Sequence, residues 1–212
     1  MANDFLINDP GNARATVLLA HGAGAPMDSA AMEAITDALV GQSIKVARFE
    51  FSYMAARRTE GGRKPPPRAE RLLPEYLESI KALNCVGPLV IGGKSMGGRV
   101  ATMVADECHE HGQINGVLCL GYPFHPPNKL TNLRTAHLAE LNTPTLIVQG
   151  ARDPFGTQEE VLEYDLSPSI ELEWLPDGDH DLKPRKRVTG LTQADHITTM
   201  ARLVSNWIDR IA

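Results

Sequence analysis

The chain has 212 residues, 42% of them hydrophobic and 22% charged, with a net charge of −5. These values are ordinary for one globular domain, read here as spanning 1–212, and unlike those of disordered or fibrous chains. No apolar run approaches the ~20 residues that cross a bilayer, and MANDFLINDPGNAR lacks the basic and apolar regions of a signal peptide, so a cytoplasmic protein without a membrane partner is expected.

In chain order, residues 15–20 form an apolar run ended by a glycine-rich turn, which predicts a buried strand. A helix follows with Met32, Ile35 and Leu39 on one face and Asp28 or Ser29 as its N-cap. Residues 45–51 predict the next strand, and 54–68 a basic, proline-rich loop. Leu72, Leu73, Tyr76, Leu77, Ile80 and Leu83 then recur at helical spacing. Residues 88–92 predict a wholly apolar strand, and 96–111 a helix with Val100, Met103, Val104 and Cys108 inward and Gly112 at its end. Two more apolar strands are expected at 116–120 and 145–149, and the alternation of Ile170, Leu172 and Trp174 suits a half-exposed edge strand. The last helix starts near Ala194 and buries Ile197, Met200, Val204, Trp207, Ile208 and Ile211. Cys85, Cys108 and Cys119 form no C-x-x-C pair and read as small core residues.

Short, continuously apolar strands separated by amphipathic helices imply a mostly parallel, doubly wound α/β sheet of about six or seven strands. Ligands of such sheets bind outside the carboxyl ends of the strands. One of those ends carries Gly93-Lys94-Ser95-Met96-Gly97, a G-x-S-x-G between strand and helix. Such a turn exposes the serine hydroxyl at a helix N-terminus, and its tightness requires glycine on both sides. Gly-Lys-Ser also ends a phosphate-binding loop, but that motif needs glycine at position 88, which is Pro88.

A serine nucleophile needs a base and an acid that orients it, and in the α/β-hydrolase fold the chain order is Ser, acid, His. Asp153 follows the strand 145–149 and His180 follows the strand ending near Trp174, so Ser95, Asp153 and His180 are the expected catalytic residues. The connection after Leu120 holds no carboxylate; His21, His125 and His137 precede Asp153; His196 falls within the last helix. Oxyanion stabilisation is expected from the backbone N–H of Met96 and from that of Ala23 in His21-Gly22-Ala23-Gly24-Ala25.

On LLAHGAGAPMDS (18–29), RFEFSYM (48–54), IGGKSMGGRVA (91–101), GYPFHPP (121–127), QGARDPFG (149–156) and DGDHDLKPRK (177–186), the chain resembles compact bacterial predicted hydrolases. These are related to testis-expressed protein 30 and to the third subunit of the animal non-specific-lethal acetyltransferase complex. The resemblance implies the α/β-hydrolase fold and the three triad positions, but no substrate. Its relatives in acetyltransferase complexes act as interaction subunits, so an interaction protein with negligible turnover is the alternative. Few residues precede the first strand, and 121–143 has room for little more than one short helix, so minimal N-terminal strands and an open, lidless site are expected.

The leading expectation is a serine hydrolase that cleaves a small carboxylic ester or thioester, needing no cofactor and no metal. Segment 57–68 holds Arg57, Arg58, Arg63, Lys64 and Arg68 against one acid, Glu60. Segment 183–187 holds Lys183, Arg185, Lys186 and Arg187 against none, so the remainder of the chain is strongly acidic. With Lys94, these segments are expected to rim the crevice and favour an anionic substrate. His21, Gly22, Arg57, Arg58, Lys94, Tyr122 and His125 are accordingly the expected substrate contacts. An acidic remainder with few aromatics argues against nucleic acid, and the H-x-H pair His109 and His111 reads as a helix-end feature rather than a metal site. Oligomeric state is left open.

Overall fold

The computed structural model describes residues 4–61 and 65–212. Seven strands form one sheet in the order β1-β3-β2-β4-β5-β6-β7. They are β1 (Leu6–Asn8), β2 (Ala15–Ala20), β3 (Ile44–Phe49), β4 (Leu89–Lys94), β5 (Gly116–Leu120), β6 (Thr145–Gly150) and β7 (Ile170–Leu175). Six run parallel, and β1 pairs antiparallel with β3, Leu6 opposite Arg48. The helices are α1 (Ala30–Val40), α2 (Ser52–Glu60), α3 (Leu73–Leu83), α4 (Met96–Glu110), α5 (Gln158–Val161), α6 (Lys186–Thr189) and α7 (Gln193–Ile211).

The central strands are apolar throughout because both faces of the sheet are covered. In β2, Val17 and Leu19 pack with Met32, Ile35, Leu39, Val204 and Trp207 of α1 and α7. Leu18 and Ala20 point the other way, onto Tyr76, Ile80, Val100 and Val104 of α3 and α4. Edge strand β7 has Ile170, Leu172 and Trp174 only partly buried against that second cluster, which accounts for its alternation. Among the described residues no helix is long and apolar enough to cross a membrane.

Several elements depart from the sequence reading. Strand β1, three residues long, pairs along the edge of the sheet and carries no apolar run. The stretch expected to open as a loop begins with helix α2, and β3 stops at Phe49. Phe51 is the extended, fully buried residue before α2, Met54 is buried one turn on, and Arg57 stacks over the Tyr53 ring at 5.1 Å. Two buried anchors and an i,i+4 stack hold a polar helix whose sequence shows little periodicity. Cys85 is half-buried rather than in the core, whereas Cys108 and Cys119 are buried. Burial pushes the Cys108 thiol up to about 11 and raises that of Cys119 as well, so both stay protonated. His111 joins the Glu107 carbonyl through Nδ1 at 2.6 Å, at the end of α4.

The chain runs from β2 outward to β3 and then crosses to β4 on the other side of β2. The strand order therefore reverses between β2 and β4, and the loops leaving their carboxyl ends lie side by side. Those loops are His21-Gly22-Ala23-Gly24-Ala25 and the turn at Ser95.

Candidate active site

Ser95 joins β4 to α4 with φ 52° and ψ −112°, a region that L-residues occupy at a cost of order 1–3 kcal/mol. Neighbouring backbone holds it there: its N–H donates to the Leu120 carbonyl at 3.0 Å, and its carbonyl accepts from the Arg99 N–H at 3.0 Å. The flanking glycines are required by contact rather than by dihedral. A Cβ on Gly93 would lie 2.4 Å from the Ala20 carbonyl oxygen, and one on Gly97 2.5 Å from the same atom.

His180 lies in the turn after β7. Its Nε2 is 2.9 Å from Ser95 Oγ and its Nδ1 is 2.8 Å from Asp153 Oδ2. The Phe155 ring lies against the imidazole, with centroids 4.2 Å apart. Asp153 is fully buried. Its Oδ1 accepts from the Phe155 N–H at 2.8 Å, and its Oδ2 also accepts from Gln149 Nε2 at 2.9 Å. Gln149 also ties down the neighbouring loop. Its Oε1 accepts from the Tyr122 N–H at 2.7 Å, and its Nε2 donates to the Tyr122 carbonyl at 3.1 Å. The structure thus brings Ser95, His180 and Asp153 into one hydrogen-bonded chain although 85 positions separate the first two.

The loop that carries His180 is held by acids and bases that face each other rather than the crevice. The Asp177 carboxylate accepts from the Arg185 N–H at 2.7 Å and pairs with the Arg185 guanidinium, which holds its pKa down at about 2. Arg152 Nε donates to the Asp177 carbonyl at 2.8 Å, and another of its nitrogens donates to the Lys183 carbonyl at 3.0 Å. The Asp179 carboxylate accepts from the Asp181 and Lys183 N–H groups, each at 3.0 Å.

The open face beside Ser95 is a cleft of about 630 Å³ whose lining includes Ala23, Ser95, Met96, Arg99, Arg134 and Phe155. Ala23 and Met96, the expected oxyanion residues, both line the cleft that holds Ser95. The Ala23 carbonyl accepts from Tyr53 Oη at 3.2 Å and from Arg57 at 3.4 Å, which orients the loop from behind. Gly22 approaches the turn closely, since a Cβ there would lie 3.8 Å from Ser95 Cβ.

The other expected substrate contacts serve the scaffold. His21 is fully buried and brackets two loops. Its Nε2 accepts from the Phe51 N–H at 3.2 Å, so its Nδ1 carries the proton toward the Gly22 carbonyl at 2.7 Å. Tyr122 is buried, its hydroxyl donating to the Arg134 carbonyl at 2.9 Å. His125 is buried between the Pro126 carbonyl at 3.0 Å and Glu160 at 3.4 Å. Lys94 faces away from the cleft; its Nζ donates to the His180 carbonyl at 2.7 Å and pairs with Asp181 at 3.4 Å. Burial pulls its pKa below the ordinary lysine value, and the nearby acids oppose that shift. Arg57 is spent on Tyr53 and the Ala23 carbonyl, while Arg63, Lys64 and the side chain of Arg58 lie outside the described residues.

Among the described residues, the positive charge lining the cleft comes from Arg68, Arg99 and Arg134, of which only Arg68 belongs to an expected basic segment. Gln149, Phe155, Arg99 and Arg134 are the site residues that sequence reading missed. Arg99 alone had a local signal, as the residue one helical turn after the serine.

The fold has counterparts among solved structures. A dienelactone hydrolase from Anabaena variabilis superimposes with a TM-score of 0.70 at 21% identity, with 98% of this chain and 91% of that one covered. Est1E from Butyrivibrio proteoclasticus, solved with ferulic acid bound, matches with a TM-score of 0.67 at 14% identity over 93% of each chain. A lidless α/β serine hydrolase from Xanthomonas campestris matches with a TM-score of 0.66 at 15% identity, over 98% of this chain and 88% of that one. Among the described residues the connection 121–144 likewise holds no helix. At these identities the likeness speaks for the fold. Residues 13–209 also match the family described as Alpha/beta hydrolase domain, and the chain belongs to that family.

Proposed function

We propose that this protein is a serine hydrolase of the compact, lidless kind related to testis-expressed protein 30, acting as one domain on a small carboxylic ester or thioester. The observation that carries the reading is the unbroken chain from Ser95 Oγ through His180 to Asp153, at 2.9 and 2.8 Å. With Nδ1–H directed at Asp153, the His180 Nε2 is the basic nitrogen that faces the serine hydroxyl. It takes the Ser95 proton as Oγ attacks the carbonyl carbon, and the Asp153 carboxylate stabilises the imidazolium that forms. The tetrahedral oxyanion is held by the N–H groups of Met96 and Ala23. Collapse of the intermediate expels an alkoxide or thiolate that receives the proton from His180 and leaves acyl-Ser95. Water then repeats the sequence with His180 as base and frees the acid.

Reaction with a fluorophosphonate, followed by intact mass, tests this reading. The wild type is expected to gain one adduct at neutral pH, and Ser95→Ala none. A folded wild type that stays unlabelled would sink the proposal and leave the fold serving an interaction role.

A further inference from the structure

We propose that Arg99 and Arg134 form a carboxylate-binding subsite beside Ser95, so that the substrate is a half-ester or half-thioester of a short dicarboxylic acid. This rests on Ser95 being the nucleophile and adds the substrate class. Arg99 lies one helical turn after Ser95 on α4, about 6 Å further along the axis. Helical side chains lean toward the N-terminus, and Arg99 and Ser95 line the same cleft. Arg134 reaches that cleft from the 121–144 connection. Its backbone is pinned by its N–H to the Phe124 carbonyl at 2.8 Å and by its carbonyl to Tyr122 Oη at 2.9 Å.

Among the described residues, two guanidinium groups held this way face a shortage of anions, because Glu70 is the one acid that lines the cleft with Arg68, Arg99 and Arg134. It pairs with Arg99 at 3.1 Å from an exposed position, its side chain 55% accessible against 20% for Arg99. The buried Nε–H of Arg99 has no partner among the described residues. Arg134 contacts a carbonyl, that of Pro123, at 3.5 Å. Burial and, after it, the Arg99 charge hold the Arg134 guanidinium below its ordinary pKa. A second carboxylate between the two would relieve that repulsion and meet donors suited to a planar, bidentate oxyanion. Glu70 meets Arg99 through one contact only, Nη2 to Oε1 at 3.1 Å. Pro67, Pro123, Leu133 and Phe155 supply apolar walls against which a short hydrocarbon spacer packs between the scissile carbonyl and the charge.

The test compares kcat/KM for p-nitrophenyl hemiglutarate with that for p-nitrophenyl valerate, its neutral analogue of equal length. The wild type should favour the charged ester roughly tenfold or more, as a charge-assisted contact warrants. That ratio should fall toward one in Arg99→Met and in Arg134→Met, and with added salt in the wild type. Thermal unfolding of each variant identifies any that fails to fold, and Arg134→Lys provides a milder substitution. Turnover of valerate with no preference for hemiglutarate, or a preference that survives in both folded methionine variants, overturns the subsite. If the wild type cleaves neither ester and resists the fluorophosphonate, the hydrolase reading has failed. The subsite is then judged by calorimetric binding of monomethyl glutarate against methyl valerate. Salt-sensitive binding that Arg134→Met abolishes supports it; no binding overturns it.

Discussion

The Asp153 carboxylate is buried and accepts from three donors: the Phe155 N–H, Gln149 Nε2 and His180 Nδ1. Such a carboxylate controls a histidine by fixing its tautomer, so Asp153→Asn should lower kcat by about 10⁴-fold while the backbone stays in place. Ester turnover measured alongside a circular dichroism spectrum checks both halves of that statement. Gln149 acts one step further out. Replacing it by leucine strands the Tyr122 N–H and removes one donor from Asp153, which should cost about 1–3 kcal/mol of stability, read from urea unfolding. That Ser95, His180 and Asp153 come together was legible from strand-to-loop placement and chain order. Gln149 was not, because a glutamine at the end of a strand carries no pattern until its partners on Tyr122, Asp153 and Gly156 are assembled around it.

At the scale of the element, the turn at Ser95 is defined by what the sheet leaves no room for. In Gly97→Ala the new methyl would sit 2.5 Å from the Ala20 carbonyl oxygen. Neither backbone can yield without moving the serine. The variant should lose at least about 1–3 kcal/mol together with fluorophosphonate labelling. Helix α3 reaches the same strand through Tyr76, whose hydroxyl donates to the Gly92 carbonyl at 2.6 Å and accepts from the Gly92 N–H at 2.9 Å. Tyr76→Phe removes both hydrogen bonds from a buried strand, and a loss of about 1–3 kcal/mol in thermal or urea unfolding is expected. Elements with a strong apolar period, such as α7 and the central strands, were readable within a residue or two. Helix α2 was not, because its burial rests on Phe51 and Met54 and the rest of it is polar.

Across the whole molecule, loops from β2, β4, β5, β6 and β7 meet at one end of the sheet, and ion pairs outside the cleft hold the last of them. Asp177 sets part of the acid limit of that arrangement. Its pKa falls from an unfolded value near 3.8 to about 2 in the folded protein, chiefly through Arg185. Its stabilising contribution is therefore complete above about pH 3.8 and is lost as pH drops through about 2. Asp177→Asn should flatten the pH dependence of stability across that window, as measured by unfolding at a series of acidic pH values.

The sequence by itself determined the parallel sheet, the glycine-flanked serine turn and the order of serine, acid and histidine. Each of these follows from local pattern and from the rule that crossovers return to the same sheet edge. Only the tertiary structure decided which charges face the cleft. Lys94, beside the serine in the chain, is turned inward onto the His180 carbonyl, and Arg185 is spent on Asp177. Arg134, from a connection with no pattern of its own, stands beside Arg99. Side-chain direction at a loop depends on partners brought in from distant strands, and no local period encodes them.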